Sequence, residues 1–114
     1  MSDVLSQLDQ VIEQRIGNAD PSSSYVAKLH YSGIDRILKK VGEESAETLI
    51  AAKNVAAGAD GSELVAEVAD LWFHLAVLLK HSGLGSEDVL AELARRFDMS
   101  GLEEKASRAP TDKL

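Results

Sequence analysis

The chain contains no cysteine. Disulfide frameworks, thiolate zinc sites and thiol nucleophiles are thereby excluded. Proline occurs twice in 114 residues, at Pro21 and Pro110, so the long stretch between them keeps the backbone donors that helices need. Aromatic side chains make up only 4% of the chain, which leaves Leu, Val, Ile and Ala to build a core. Cations are scarce as well: 12 Lys and Arg stand against 19 Asp and Glu, a formal net charge of −7. Nucleic acids and anionic membrane surfaces attract clustered Lys and Arg, so neither is an expected partner. A phosphorylated small molecule is compatible with this balance, provided that a cation mediates. The longest apolar run, Leu75 to Leu79, falls far short of the roughly 18 residues that span a bilayer. The first residues, MSDVLSQLDQ, lack the basic and apolar regions of a signal peptide, and a cytoplasmic location is expected.

What is present favours helix. Hydrophobic residues are 45% and charged residues 27% of the chain, with Ala, Leu, Glu and Lys prominent. The length suits one domain, expected over residues 1–108, with 109–114 a disordered tail. Val4, Leu5, Leu8, Val11 and Ile12 recur at helical spacing, so a first helix is expected from Ser2 to about Ile16, capped by Ser2 or Asp3. The loop GNADPSSS follows, and Ser24 can cap a short helix, SYVAKLHY, that stops near Gly33. A long helix from about Gly33 to Asn54 carries Ile34, Ile37, Leu38, Val41, Ser45, Thr48, Leu49 and Ala52 on one face. Asp60, with Glu63 three residues on, has the pattern of a capping box for the next helix, which ends near Ser82 with Gly83 as its C-terminal glycine. Ser86 opens a last helix with a stripe of Val89, Leu90, Leu93 and Phe97. No segment alternates with period two. The expected fold is all-α, a helical bundle with two long antiparallel helices at its centre.

The ionisable residues of those two helices are unusually placed. At ~100° per residue, Glu63, Glu67, Asp70 and His74 fall within a stripe ~60° wide. The rest of the helix from Leu64 to Leu79 is aliphatic, aromatic or alanine, the inverse of an ordinary surface helix. On the preceding helix, Lys40, Glu44, Glu47 and Ala51 share a line beside the apolar face, and the i, i+3 step brings the Glu44 and Glu47 carboxylates close together. If the helices pack antiparallel, Glu44 and Glu47 meet Glu67 and Asp70. Four converging carboxylates repel one another unless they are protonated or neutralised. A hard divalent cation, Mg²⁺ above all, is the natural remedy. The plainer alternative is a pair of helices with solvated glutamates.

EESAE (43–47) followed by EVAD (67–70) is similar to the EExxE…ExxD signature of the MazG-like, all-α nucleoside triphosphate pyrophosphatases. The flanking segments SYVAKL, GIDRILKKVGEESAE, AAKN, ADLWFHLAVLL and GLEEKASR, in that order between residues 24 and 108, resemble the phosphoribosyl-ATP pyrophosphatase family of histidine biosynthesis. The resemblance implies Mg²⁺-dependent hydrolysis of phosphoribosyl-ATP to phosphoribosyl-AMP and pyrophosphate, by a homodimer whose association completes the helical architecture. It implies that Glu44, Glu47, Glu67 and Asp70 bind metal. Glu43, the first acid of the motif, would lie behind the ligands or help to activate water, and Lys53 and Asn54 would contact phosphate or base.

Within that reading, Glu47 or Glu44 is the best carboxylate to accept the proton of the attacking water. Lys28, Lys40, Lys53, Lys105 and Arg108 are candidate substrate contacts, with Lys40 preferred over Lys39 because it shares the Glu44 line. His74 continues the acid stripe and can contact phosphate or order a water, or can be a core histidine. Ser24 and Tyr25 open a helix whose free N–H groups can hold a phosphate; the alternative is a plain cap beside a packed tyrosine. Trp72 and Phe73 point away from the acids, toward an expected subunit interface. Two other functions share these features: a house-cleaning nucleoside triphosphate pyrophosphatase, which has the same acids, and a non-catalytic helical dimerisation module, which would not bind Mg²⁺.

Overall fold

The computed structural model describes residues 2–97 together with 101, 105, 106 and 108. The chain runs through α1 (Ser2–Asn18), α2 (Tyr25–Ser32), α3 (Ile34–Ala56), α4 (Ser62–His81) and α5 (Ser86–Arg96), and the described residues contain no strand. The all-α expectation holds. No helix among the described residues is long and apolar enough to cross a membrane. The cap expected at Ser2 or Asp3 and the tail at 109–114 fall outside the described side chains and residues.

Local chemistry sets the boundaries. Ser24 has extended backbone and its Oγ accepts the Ala27 N–H at 3.2 Å, the N-cap expected of it. Between α2 and α3 there is one residue, Gly33, whose φ of 99° lies where side chains are disfavoured. This lets the chain pass from one helix into the next without a longer loop. Gly83 ends α4 in the same way, with φ 79°. The start of α4 differs from expectation. Asp60 lies outside the helix, with Gly61 as its N-cap. The Asp60 carboxylate accepts both the Ser62 N–H at 2.8 Å and the Ser62 hydroxyl at 2.6 Å, a turn that Ser62 captures before Glu63 can complete a box.

Helices α3 and α4 share the most extensive contact and form an antiparallel hairpin. Its register shows in the Thr48 hydroxyl, which donates to its own helix at the Glu44 carbonyl (2.8 Å) and reaches the Glu67 carbonyl across the seam at 3.4 Å. The small polar residues Ser45 and Thr48 allow this close approach. The buried line of α3 is Ile37, Glu44 and Ala51, rather than the broader apolar face expected: Ile34, Leu38 and Leu49 are exposed. The core gathers Ile12 of α1, Val26 and Leu29 of α2, Ile37 of α3, and Ala76 and Val77 of α4, with Leu8, Ile16, Phe73 and Leu78 packed around it.

A buried carboxylate joins the first and last helices. Asp9 accepts the Ser86 N–H and the Ser86 hydroxyl, both at 2.8 Å, so α1 supplies a charge to the positive end of α5. The Gly85 N–H meanwhile donates to Asp88 at 2.9 Å. The expected stripe on α5 forms, but Val89, Leu93 and Phe97 stay exposed, Phe97 at 78%. Between α4 and α5 runs an apolar groove of about 410 Å³, bordered by Leu5, Trp72, Leu75, Val89 and Leu93.

Candidate active site

The α3–α4 hairpin brings three of the four expected acids into one cluster. A carboxylate oxygen from each of Glu44, Glu67 and Asp70 lies within 4.8 Å of the others. Glu47, one turn along α3, sits beside both Glu44 and Glu67 and raises the pKa of each. Glu63 adds its charge to Glu67 from the preceding turn of α4. The convergence read from helical spacing is therefore present, with Glu47 at the exposed rim.

Glu44 is the most constrained member. It is 7% exposed, and its Oε2 is buried without a hydrogen-bond partner. Burial first, and then the neighbouring Glu47 carboxyl and the charge of Asp70, push Glu44 up to about 7. Glu67 is raised by burial, Glu47, Asp70 and Glu63 in turn. A desolvated oxygen with no donor is costly in a folded protein. Here it lies in a group of acids that already resist ionisation together.

Cations border the cluster on one side. Lys40 pairs with Glu43 at 3.2 Å and approaches Glu44 at 3.9 Å. The hydrogen bond to Glu43, followed by the Tyr25 hydroxyl, raises Lys40 above its ordinary value. Glu43 thus stands outside the three-residue group and holds Lys40 at its edge. Lys53 and Asn54 are exposed near the end of α3, ~9 Å along the axis from Glu47 at 1.5 Å per residue. Lys28 is exposed on α2. Lys105 and Arg108 are exposed, and the Arg108 N–H donates to the Lys105 carbonyl at 3.4 Å.

His74 is 5% exposed and both ring nitrogens meet protein atoms. Nδ1 lies 2.7 Å from the Asp70 carbonyl oxygen, and Nε2 lies 2.8 Å from the Tyr25 hydroxyl. A direct phosphate contact by His74 therefore requires Tyr25 to release it. Tyr25 is the residue that helical spacing did not bring to the site, because α2 meets α4 only in three dimensions. The available signal was its place in SYVAKL, beside the capping serine.

A family model described as phosphoribosyl-ATP pyrophosphohydrolase matches residues 5–97. That span contains the acids of the cluster, Lys28, Lys40, Lys53, Asn54 and His74, and it ends before Lys105 and Arg108.

Proposed function

The chain belongs to the phosphoribosyl-ATP pyrophosphohydrolase family, and on that premise we propose that it performs the family's reaction with Mg²⁺ held by Glu44, Glu67 and Asp70. The family's activity is that of a phosphoribosyl-ATP diphosphatase, a hydrolase of histidine biosynthesis. Water breaks the anhydride between the first and second phosphates of the substrate's triphosphate, releasing phosphoribosyl-AMP and pyrophosphate.

One observation carries the metal reading: the buried, unpartnered Oε2 of Glu44 in a three-carboxylate group. An all-oxygen donor set suits a hard cation, and the orphaned oxygen has a use once a cation is there. Such a cation supplies charge neutralisation at the phosphates and acidifies water. The protein's own groups do the rest. Glu47 lies outside the tight three-residue cluster, which supports it as the acceptor of the water's proton. Lys40, steadied by Glu43, offers a cation to the phosphates at the edge of the cluster. Lys28, Lys53, Asn54, Lys105 and Arg108 are the remaining candidates for holding the substrate.

A homodimer is part of the proposal. Trp72 is 57% exposed, and with Leu75, Val89 and Leu93 it borders an open apolar groove. A second copy covering this face would remove a contiguous apolar surface from water.

Pyrophosphate release should be measured with Mg²⁺ for phosphoribosyl-ATP and for a panel of ordinary nucleoside triphosphates. Selective turnover of phosphoribosyl-ATP, lost on chelation and in Glu47→Gln, is the expected result. Equal turnover of the panel would move the protein to nucleotide house-cleaning, and no turnover of any substrate would remove the enzymatic reading.

A further inference from the structure

Two helices meet at the hydroxyl of Tyr25, and the charges of a third reach it. Its ring opens α2, stacks on Phe73 of α4 with centroids 6.1 Å apart, and meets His74 edge-on at 5.7 Å. On α3, Glu44 and Lys40, whose ammonium approaches Glu44 at 3.9 Å, are close enough for their charges to act on the phenol. The polar contacts have a defined direction. A backbone carbonyl can only accept, so the 2.7 Å contact between His74 Nδ1 and the Asp70 oxygen puts the proton on Nδ1. In the neutral ring Nε2 is then an acceptor, and the Tyr25 hydroxyl donates to it at 2.8 Å. The relay runs Tyr25 O–H to His74 Nε2, and His74 Nδ1–H to the carbonyl of Asp70.

We propose that Tyr25 and His74 are positioning residues for the hydrolytic reaction: the phenol selects the histidine tautomer, and the histidine holds the turn of α4 that carries Asp70 in register with α2. Neither side chain touches the phosphates. Without the hydroxyl, Nε2 has no donor, the other tautomer becomes accessible, and the Nδ1–H bond to Asp70 is lost in the fraction of molecules that adopt it. The turn bearing one of the three clustered carboxylates then loses a support from inside the protein, while α2 with Lys28 loses one polar tie to α4 and keeps the His30–His81 contact. Partners that orient metal ligands in this indirect way are commonly worth 10–100-fold in metal affinity or activity.

This inference rests on the proposed metal-dependent hydrolysis, and its test separates the two. Tyr25→Phe keeps the ring stacked on Phe73 and removes only the oxygen. In ¹⁵N spectra of the imidazole side chains, wild type is expected to show His74 as the Nδ1–H tautomer, and Tyr25→Phe a mixture. Mn²⁺ affinity, read by electron paramagnetic resonance, should fall about 10-fold. With phosphoribosyl-ATP, kcat should fall by a similar factor while KM stays within about twofold. His74→Asn, whose amide nitrogen stands where Nδ1 was and can still donate to Asp70, should retain more Mn²⁺ affinity than His74→Gln, whose amide mimics only Nε2. Wild-type Mn²⁺ affinity and an unchanged tautomer in Tyr25→Phe would overturn the proposal, and so would a rise in KM alone, which indicates direct substrate contact. If the wild-type protein proved inactive on phosphoribosyl-ATP, the spectra and the Mn²⁺ titration would still decide the role of Tyr25.

Discussion

His30 and His81 face each other through their Nδ1 atoms at 3.0 Å, tying the end of α2 to the end of α4. One ring must donate and the other accept, so the contact survives only while at least one is neutral. Burial first, and the neighbouring His81 second, hold His30 below the ordinary histidine range. The unfolded chain therefore takes up this proton more readily than the folded one, and stability falls as the pH drops below about 6.5. Above that value the contribution is fully present. Melting temperatures between pH 7.5 and 5.5 should decline more steeply for wild type than for His30→Gln. Parallel slopes would show that the pair does not sense acid.

Glu44 titrates in the opposite sense. Its folded value, about 7, stands above that of an unfolded glutamate, so its favourable contribution is complete below about 4.5 and is lost as the pH rises through 7. The metal-free protein should lose stability over that window, and Glu44→Gln should lose less. Because a cation must displace the Glu44 proton, Mn²⁺ binding should strengthen as the pH rises through about 7, with proton uptake by the buffer detectable in calorimetry. A pH-independent affinity would count against Glu44 as a ligand.

Asp9 and Ser86 make a second, non-catalytic test. Asp9→Ala leaves a buried N–H and hydroxyl without their acceptor, at a cost of about 1–3 kcal/mol. Denaturant unfolding should show this loss, with the amides at the start of α5 exchanging faster than those of α4. Gly85→Ala should also destabilise, since an added Cβ would stand 3.2 Å from Asp9 Oδ2.

In the core, Ile37 is fully buried among Ile12, Val26, Leu29 and Val77. Ile37→Ala should cost roughly 2–5 kcal/mol in denaturant unfolding. Its position two turns from Glu44 predicts lost stability with the acid cluster's chemistry retained at low temperature.

The apolar face gives a further prediction. Trp72→Glu combined with Leu93→Glu should leave helicity unchanged and shift sedimentation from dimer to monomer. A wild-type protein that sediments as a monomer would remove the proposed interface.

Helical periodicity was enough to find the hairpin and to aim Glu44, Glu67 and Asp70 at one point, because these depend on angles along single helices. It also found Ser24 as a cap and Gly83 as a terminator, since their chemistry is local. Contacts between helices distant in sequence were not legible. Asp9 looks like any surface acid of α1 until Ser86 is brought against it, and Tyr25 reaches His74 only through the packing of α2 on α4. The breadth of the α3 face misled for another reason: Leu38 and Leu49 are apolar without being covered by this chain, and a pattern of hydrophobicity does not say which molecule will do the covering.

Glu44 occupies a position in the Ile37–Glu44–Ala51 seam that any apolar side chain would fill more comfortably. A buried carboxylate oxygen without a partner costs stability that leucine or methionine would not, so heat resistance and hydrolysis make opposing demands on this one residue. Evolution of the chain for thermal tolerance alone should drift toward an apolar residue at 44 and arrive at a sturdier, inert protein. Persistence of glutamate there would mark selection for chemistry against the preference of the packing.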